Sequence, residues 1–390
     1  MAENSKRYLI TSALPYVNTV KHLGNLVSSL LPADIYARYL RQRGENVLAV
    51  CGTDDHGTPS EISAAEADMP VEEFVEMMFQ KQKDIYERFG LSYDLFSRTH
   101  TKENTEMTQH LFTRLYENGY IHEKQIKTLY CQNCKRNLPD RYVIGTCPYC
   151  DYEHARGDQC ENCSKVLDGV DLINPKCIIC QRRDIVVKKE EHLFLDLSEL
   201  DDKIKQWISS HDEWPKTTLS ISQSWLNEGL RPRCISRNLE WGIPIPLKGY
   251  EDKVFYVWFD APIGYISIAM EWAKQQNKPE LWKKYWKDSD TYLINFIGKD
   301  NVPFHTITFP ATLLGADDGF ILADFVKAFQ WLNYEGLKFS SSKNIGIFTD
   351  VALDLYPADY WRFYVMKIAP ERHDTDFRWS EFRDSINGDL

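Results

Sequence analysis

The 390 residues contain no run of about 18 apolar side chains, so no membrane-spanning helix is predicted. The start, Met1 to Arg7, is polar and has no apolar signal region, and a cytoplasmic protein is the expectation. Positive charge is not in excess: 46 Lys and Arg stand against 57 Asp and Glu, a formal net charge of -11. This excludes a chain coated in basic charge for indiscriminate nucleic-acid binding, and leaves room only for a local basic track. There is no low-complexity tract, and no internal repeat apart from pairs of cysteines. At 43% hydrophobic and 26% charged residues, disorder and collagen-like structure are excluded. The length predicts two or three domains at roughly 150 residues each. Aromatic residues, by contrast, are plentiful. Eleven Trp, 21 Tyr and 19 Phe are material for large cores and aromatic pockets.

The first element is a short β-prone run, Arg7 to Ala13, ended by Leu14-Pro15-Tyr16. A turn through Asn18 to Lys21 leads into His22-Leu-Gly-Asn25. Apolar positions at Leu26, Leu30, Ile35 and Leu40 then predict a helix from Leu26 to Arg43. Arg38, Arg41 and Arg43 sit near its end, and Gly44 stops it. Pro32 lies inside this helix and predicts a kink. Val47 to Cys51 reads as a second buried strand, ending in Gly52-Thr-Asp-Asp-His-Gly57. Amphipathic helices follow near Val71–Gly90 and Thr101–Asn118. Strand, loop, helix, strand, helix is the opening half of an α/β nucleotide-binding fold. Residues 126–188 then become rich in Cys, Gly and charge, and a mixed segment runs to about 245. Strand signals resume at Lys253–Phe259 and Thr291–Ile297. The simplest account is a doubly wound parallel sheet interrupted by an insertion.

Eight of the ten cysteines form four CxxC knuckles: Cys131/Cys134, Cys147/Cys150, Cys160/Cys163 and Cys177/Cys180. Each knuckle points two thiolates at one ion, and four thiolates close a tetrahedral Zn²⁺ site, so two structural zinc sites are expected. Disulfides and redox motifs are the alternatives. The cytoplasmic expectation disfavours the first and the fourfold repetition the second. A nested pairing joins 147/150 to 160/163 and 131/134 to 177/180. A sequential pairing, 131/134 with 147/150, remains open. Such metal holds together an insertion with little apolar core of its own. Cys51 and Cys234 are left as ordinary buried residues.

Three further segments suit a nucleotide. His22–Asn25 lies where a strand ends and a helix begins, so unpaired N–H groups and the helix dipole favour an anion. Gly24 leaves space for a flat base against the backbone. Gly298-Lys-Asp-Asn301 follows a strand, where Asp300 suits ribose hydroxyls and Lys299 suits phosphates. Lys338-Phe-Ser-Ser-Ser-Lys343 is a basic, serine-rich loop able to close over a polyphosphate. Singly, each has a plain reading too: a structural histidine, a strand end, a solvated loop.

In this order the segments resemble the class I aminoacyl-tRNA synthetases, with His22–Asn25 as the HIGH motif and Lys338–Ser342 as KMSKS. The more specific likeness is to the methionyl-tRNA synthetase family. It rests on Ala13–Tyr16, Cys51–Gly57, Val257–Tyr265 and Phe296–His305, and the four knuckles match its two-zinc subtype. The likeness covers essentially the whole chain. It implies a split Rossmann-like catalytic domain (1–120 and 246–330), a connective zinc-knuckle insertion (121–245), and the KMSKS-like loop with a stem-contact-like segment (331–390).

The resemblance also implies roles. His22, Asn25, Lys338 and Lys343 would act on phosphates during catalysis. Gly24, Lys299, Asp300, Ser340 and Ser342 would bind ATP, with Mg²⁺ accompanying it and no residue marking a fixed Mg²⁺ site. Asp54 would accept the methionine ammonium, with Arg237 nearby. Leu14, Tyr16, Trp258, Ala261, Pro262, Tyr265, Phe304 and His305 would line the side-chain pocket. A flexible thioether suits aromatic faces, and Tyr or His offers it a weak hydrogen bond. The implied reaction is ATP-dependent activation of L-methionine to its adenylate, then transfer to the terminal adenosine of tRNA(Met).

Three features depart from the family pattern. Asn25 replaces a histidine and keeps only neutral hydrogen bonding. Ser341 replaces the second lysine of KMSKS, and Lys343 lies two residues on. The sequence also stops at Leu390, so the helical anticodon-binding domain of the family is expected to be absent. Two rival readings follow: a paralogue that gives the adenylate to another acceptor, and a non-catalytic RNA-binding or regulatory protein on this scaffold. Nothing in the sequence bears on oligomeric state.

Overall fold

Runs rich in Leu, Ile, Val and Phe build a central five-stranded parallel sheet. Its order is Phe325–Phe329, Thr291–Gly298, Arg7–Ser12, Asn46–Thr53, Leu95–Arg98. A computed structural model describes residues 6–163, 165–340 and 345–390. Successive side chains of a strand face opposite sides. Leu9, Leu48 and Val50 therefore enter one core, while Ile10, Ala49 and Ile294 enter another on the opposite face. Both faces are covered, as parallel sheets require. The chain leaves the central strand Arg7–Ser12 in one direction to 46–53 and 95–98, and later in the other to 291–298 and 325–329. That reversal opens a crevice at the carboxyl ends of the strands.

The first crossover is one helical segment from Leu23 to Gln42, but not a uniform one. Leu26–Leu30 is a π-helical turn, and Pro32 sits in the first turn of the α-helix Leu31–Gln42. Pro32 has no N–H to continue the ladder, and the wide turn absorbs the defect before it. The irregularity expected at Pro32 is thus displaced by a turn. A second correction concerns Lys253–Phe259. Only Val254–Phe255 is strand, paired antiparallel with Ser236–Arg237, and Val257–Asp260 is a helical turn. A short run apolar on every side carries no period, and such runs do not separate strand from helix.

The insertion is built on a long antiparallel ribbon, Ile121–Cys131 against Ile185–Leu195, in register from Ile121↔Leu195 to Cys131↔Ile185. It carries both cysteine clusters toward its far end. The expected 121–245 boundary does not hold throughout. Helix Asp201–Ser209 packs on the sheet core through Ile204 and Ile208, helix Lys216–Glu228 through Leu219 and Ile221, and Trp214 between them joins the same core. Trp214 Nε1 and Thr218 Oγ1 donate to the Asp324 and Val326 carbonyls at 2.8 and 2.9 Å. The apolar stripes of these helices match the sheet face and not the metal modules. After residue 331, a three-stranded sheet (Leu332–Tyr334, Leu337–Lys338, Thr375–Phe377) and three helices enclose an aromatic core, with Trp361 stacked on Phe382 at 4.7 Å. No helix among the described residues is long and apolar enough to cross a membrane.

Candidate active site

Two loops at the switch point are tied side by side. Asp54 N–H donates to Pro15 O, and Val17 N–H to Asp54 O, both at 2.9 Å. This extends the pairing of the two strands by one bridge, Tyr16 to Asp54. Beside it lies a small cavity of about 60 Å³. Leu14, Tyr16, Asp54, Trp258, Ala261, Pro262, Tyr265, Phe304 and His305 line it, joined by Ala13 and Asn301. The helical turn at Val257–Asp260 explains how Trp258 reaches this cavity while Phe259 is buried in the core. Trp258 packs edge-on against Phe304, centroids 4.3 Å apart, and its Nε1 donates to Tyr16 Oη.

At one wall the protons are committed. His305 Nδ1 is 2.9 Å from the Asn301 carbonyl, which can only accept, so the ring proton sits on Nδ1. Burial pushes the His305 pKa down to about 4, so the ring is neutral. Its Nε2 then accepts from Tyr265 Oη at 2.8 Å. Tyr265 and His305 therefore have no free proton for the weak hydrogen bond expected to a thioether, whereas the Tyr16 hydroxyl, an acceptor from Trp258 Nε1, is not committed by that bond. What the pocket offers a sulfur is polarizable aromatic contact.

Asp54 is only 4% exposed, and its Oδ1 is buried without a partner among the described residues. Burial holds this carboxyl well above the usual carboxylate range, the Asp260 and Asp55 carboxylates push the same way, and Lys21 pulls back. Asp260 is itself anchored by His56, Nδ1 to Oδ2 at 2.6 Å. An unpaired acidic oxygen beside an aromatic slot suits an ammonium group.

Arg237 is not brought to this cavity, which corrects the expectation. Its Nε bonds both oxygens of Asp140, at 3.0 and 2.9 Å, and its guanidinium lies over Tyr256 at 3.8 Å. A buried guanidinium must be paired, and Asp140, which sequence reading did not single out, is the carboxylate within reach.

A second cavity, about 320 Å³, holds the nucleotide candidates His22, Gly24, Asn25, Asp300 and Lys338. His22 caps the helix at Leu23: its Nδ1 accepts the Asn25 N–H at 3.3 Å, while Asn25 Oδ1 takes the His22 N–H at 3.4 Å. Burial, assisted by Lys21, depresses the His22 pKa to about 3, so the ring is neutral and its remaining proton sits on Nε2. Asn25 keeps its Nδ2 protons. A Cβ on Gly24 would lie 3.0 Å from His22 Nδ1, so glycine leaves the ring its place. A Cβ on Gly298 would lie 2.7 Å from Asp300 Oδ1, so that glycine frees the carboxylate. Ser340 is paired with Ile345 through the backbone, closing the loop, and Ser341, Ser342 and Lys343 lie outside the described residues. Lys299 is not a lining residue: its Nζ is held by Gln330 at 2.8 Å and Asp374 at 2.9 Å.

Sequence reading missed several walls of this space. Gln159, Cys160 and Glu161 bring the second cysteine cluster to the nucleotide side. Lys21, Arg141 and Arg156 line a third, polar cavity of about 810 Å³ that shares Tyr16 with the first and Glu161 with the second. Adjacency to His22 was a signal for Lys21. The insertion residues carried none, because only folding brings them over the crevice.

The cysteines fall into two clusters, Cys131/134/177/180 and Cys147/150/160/163, the nested pairing. Sulfur separations of 3.6 and 3.8 Å in the first and 3.9 and 3.7 Å in the second are far too long for disulfides. They match the roughly 3.8 Å edge of a tetrahedron with 2.3 Å metal–sulfur bonds. Either cluster fits one ion.

Comparison with known proteins decides the family. A profile described as "tRNA synthetases class I (M)" matches residues 8–390. The chain belongs to this family. Methionine–tRNA ligase 1 of Acaryochloris marina is 51% identical over 385 residues, covering 98% of this chain and 69% of the relative. Methionine–tRNA ligase of Streptomyces avermitilis is 50% identical with the same coverage. Mycobacterium tuberculosis methionyl-tRNA synthetase, solved in complex with methionyl-adenylate, aligns with a TM-score of 0.77 at 25% identity. That alignment covers 99% of this chain and 69% of the solved one. The family is one of aminoacyl-tRNA synthetases, and the chain is an enzyme of that class with its fold.

Proposed function

We propose that the aromatic slot at Asp54 binds L-methionine, that the cavity at His22, Asp300 and Lys338 binds ATP, with the polar cavity that shares Tyr16 with the first and Glu161 with the second between them, and that this chain is a methionine–tRNA ligase. The observation that carries the reading is the unpartnered carboxylate oxygen of Asp54 at the mouth of an aromatic slot, beside a crevice carrying His22, Asn25 and Lys338. Asp54 takes the substrate ammonium. Trp258, Tyr16, Phe304, Tyr265 and His305 hold the side chain. The substrate carboxylate attacks the α-phosphorus in line, and pyrophosphate leaves.

No protein nucleophile is required. The chain contributes position and charge. His22 donates from Nε2 and Asn25 from Nδ2 to phosphate oxygens. Lys338, with Lys343 on the loop, neutralises charge as pyrophosphate departs. Gly24 backs the adenine, and Asp300 accepts from ribose hydroxyls. Mg²⁺ accompanying ATP would neutralise phosphate charge. The activated methionyl group then passes to the terminal adenosine of tRNA(Met). Each cysteine cluster holds one structural Zn²⁺, and a cytoplasmic setting keeps those thiols reduced.

The test is methionine-dependent ATP–pyrophosphate exchange, followed by methionine charging of tRNA(Met). Exchange and charging together are the expected result. Exchange without charging, also in a form extended beyond Leu390, would favour another acceptor. No exchange would overturn the reading.

A further inference from the structure

Two ammonium groups share one ring in this protein. Lys299 Nζ lies 3.9 Å and Lys338 Nζ 4.5 Å from the centroid of Trp331. The two nitrogens are thus no farther apart than the sum of these distances, and like charges that close repel. Three features hold them there. The negative face of an indole attracts cations. Asp374 Oδ1 accepts from Lys299 Nζ and from the Trp331 N–H, both at 2.9 Å, so one carboxylate fixes a charge and the backbone that carries the ring. Gln330 Oε1 accepts from Lys299 at 2.8 Å, while its Nε2 donates to Thr217 Oγ1 at 2.7 Å, which fixes the amide.

Lys338 differs. Among the described residues it forms no ion pair, and the ring is its contact. Trp331 and Lys338 both line the nucleotide cavity with Asp300 and His22. Lys299 does not line that wall; it lies against the ring that does.

We propose that Trp331 is a positioning residue for two lysines, Lys338 on the wall of the nucleotide cavity and Lys299 behind it. Its ring, on a backbone N–H held by Asp374, carries Lys338 at the wall of the nucleotide cavity and Lys299 beside it. A polyphosphate arriving there meets the Lys338 ammonium directly, with the Lys299 charge on the same ring adding to the positive field. The inference rests on the reading above in taking a triphosphate as the guest.

The test is ATP–pyrophosphate exchange with Trp331→Leu and Trp331→Phe in the 390-residue chain. Two partly exposed cation–π contacts correspond to roughly a 5- to 30-fold fall in kcat/KM for ATP in Trp331→Leu. KM for methionine should stay within about twofold, and Trp331→Phe, which keeps an aromatic face, should recover most of the loss. In a Lys299→Met background the Trp331→Leu effect should shrink, since one of its two charges is gone. Unchanged kcat/KM for ATP, equal losses with Leu and Phe, or full additivity with Lys299→Met would each overturn the proposal. Should Trp331→Leu fail to fold, Trp331→Phe decides. A weaker inhibition constant for pyrophosphate supports the proposal, and an unchanged one overturns it. Exchange by the unaltered chain reports separately on the functional reading: its absence would sink that reading, whereas its presence with an indifferent Trp331 sinks only this inference.

Discussion

Replacing Asp54 by Asn tests the site at its most exposed assumption. The change removes one charge from a side chain that is 4% exposed and alters its volume little. Asp54 Oδ1 has no partner among the described residues, and a substrate ammonium is the group proposed to pair with it. Breaking a buried ion pair by removing one partner costs about 3–5 kcal/mol. At about 1.4 kcal/mol per factor of ten, kcat/KM for methionine should fall by roughly 100- to several thousand-fold. The nucleotide cavity is not lined by Asp54, so KM for ATP should change little. Stability should move the other way. The folded-state pKa of Asp54 lies well above its usual value, chiefly through burial. Below the unfolded pKa the carboxyl is protonated in both states and carries no penalty. As pH rises through the folded pKa, the buried charge costs its full amount. The melting temperature of Asp54→Asn should therefore match that of the unaltered chain in acid and exceed it increasingly as pH rises. Pyrophosphate exchange at saturating ATP and thermal melts across pH supply both readouts. A kcat/KM for methionine within about threefold of the unaltered value would refute the ammonium assignment. A melting temperature below the unaltered chain at neutral pH would refute the electrostatic account.

Three other outcomes follow from the geometry. Zinc released by a thiol reagent should total two equivalents per chain and fall to one in Cys160→Ser; because Gln159–Glu161 line the nucleotide cavity, KM for ATP should rise in that variant and stay near normal in Cys134→Ser. His22→Ala should lower kcat by about 10²- to 10³-fold, as loss of one transition-state donor does; because burial keeps the ring neutral down to a pKa of about 3, the unaltered chain should show no acidic limb from His22 between pH 5 and 8. Ser341→Lys should raise kcat by roughly 10-fold or more, the worth of one charge-assisted hydrogen bond to the departing pyrophosphate, and an unchanged rate would show that the loop already has the charge it needs.

Much of this site was legible because it is made of short local signals. His22–Asn25 announces itself as a strand-to-helix junction, and the structure makes it a helix cap. Four CxxC knuckles announce two tetrahedral centres, and only their pairing needed the ribbon that sets Cys131 beside Ile185. What stayed hidden is what folding brings together from afar. Arg237 was assigned to Asp54 on resemblance, yet Asp140, 97 residues away, holds it. Lys299 read as a phosphate lysine, and nothing local foretold that Asp374 and Gln330 would hold it against Trp331. The aromatic run before Ala261 misled for a different reason: a segment buried on every side has no period to read.

The same distant convergence explains how the junction of the cavities is poised. Burial pushes Asp54 toward its neutral form and, from the other sign, pushes Lys21 down to about 7. Each raises the tendency of the other to ionise, but the low polarity of the site opposes both. A methionine zwitterion brings an ammonium that stabilises the Asp54 carboxylate. A guest lacking its ammonium would offer nothing that stabilises the Asp54 carboxylate in its buried place. On the proposed assignment, the site would discriminate at the amino end by electrostatics and at the side chain by shape and polarizability.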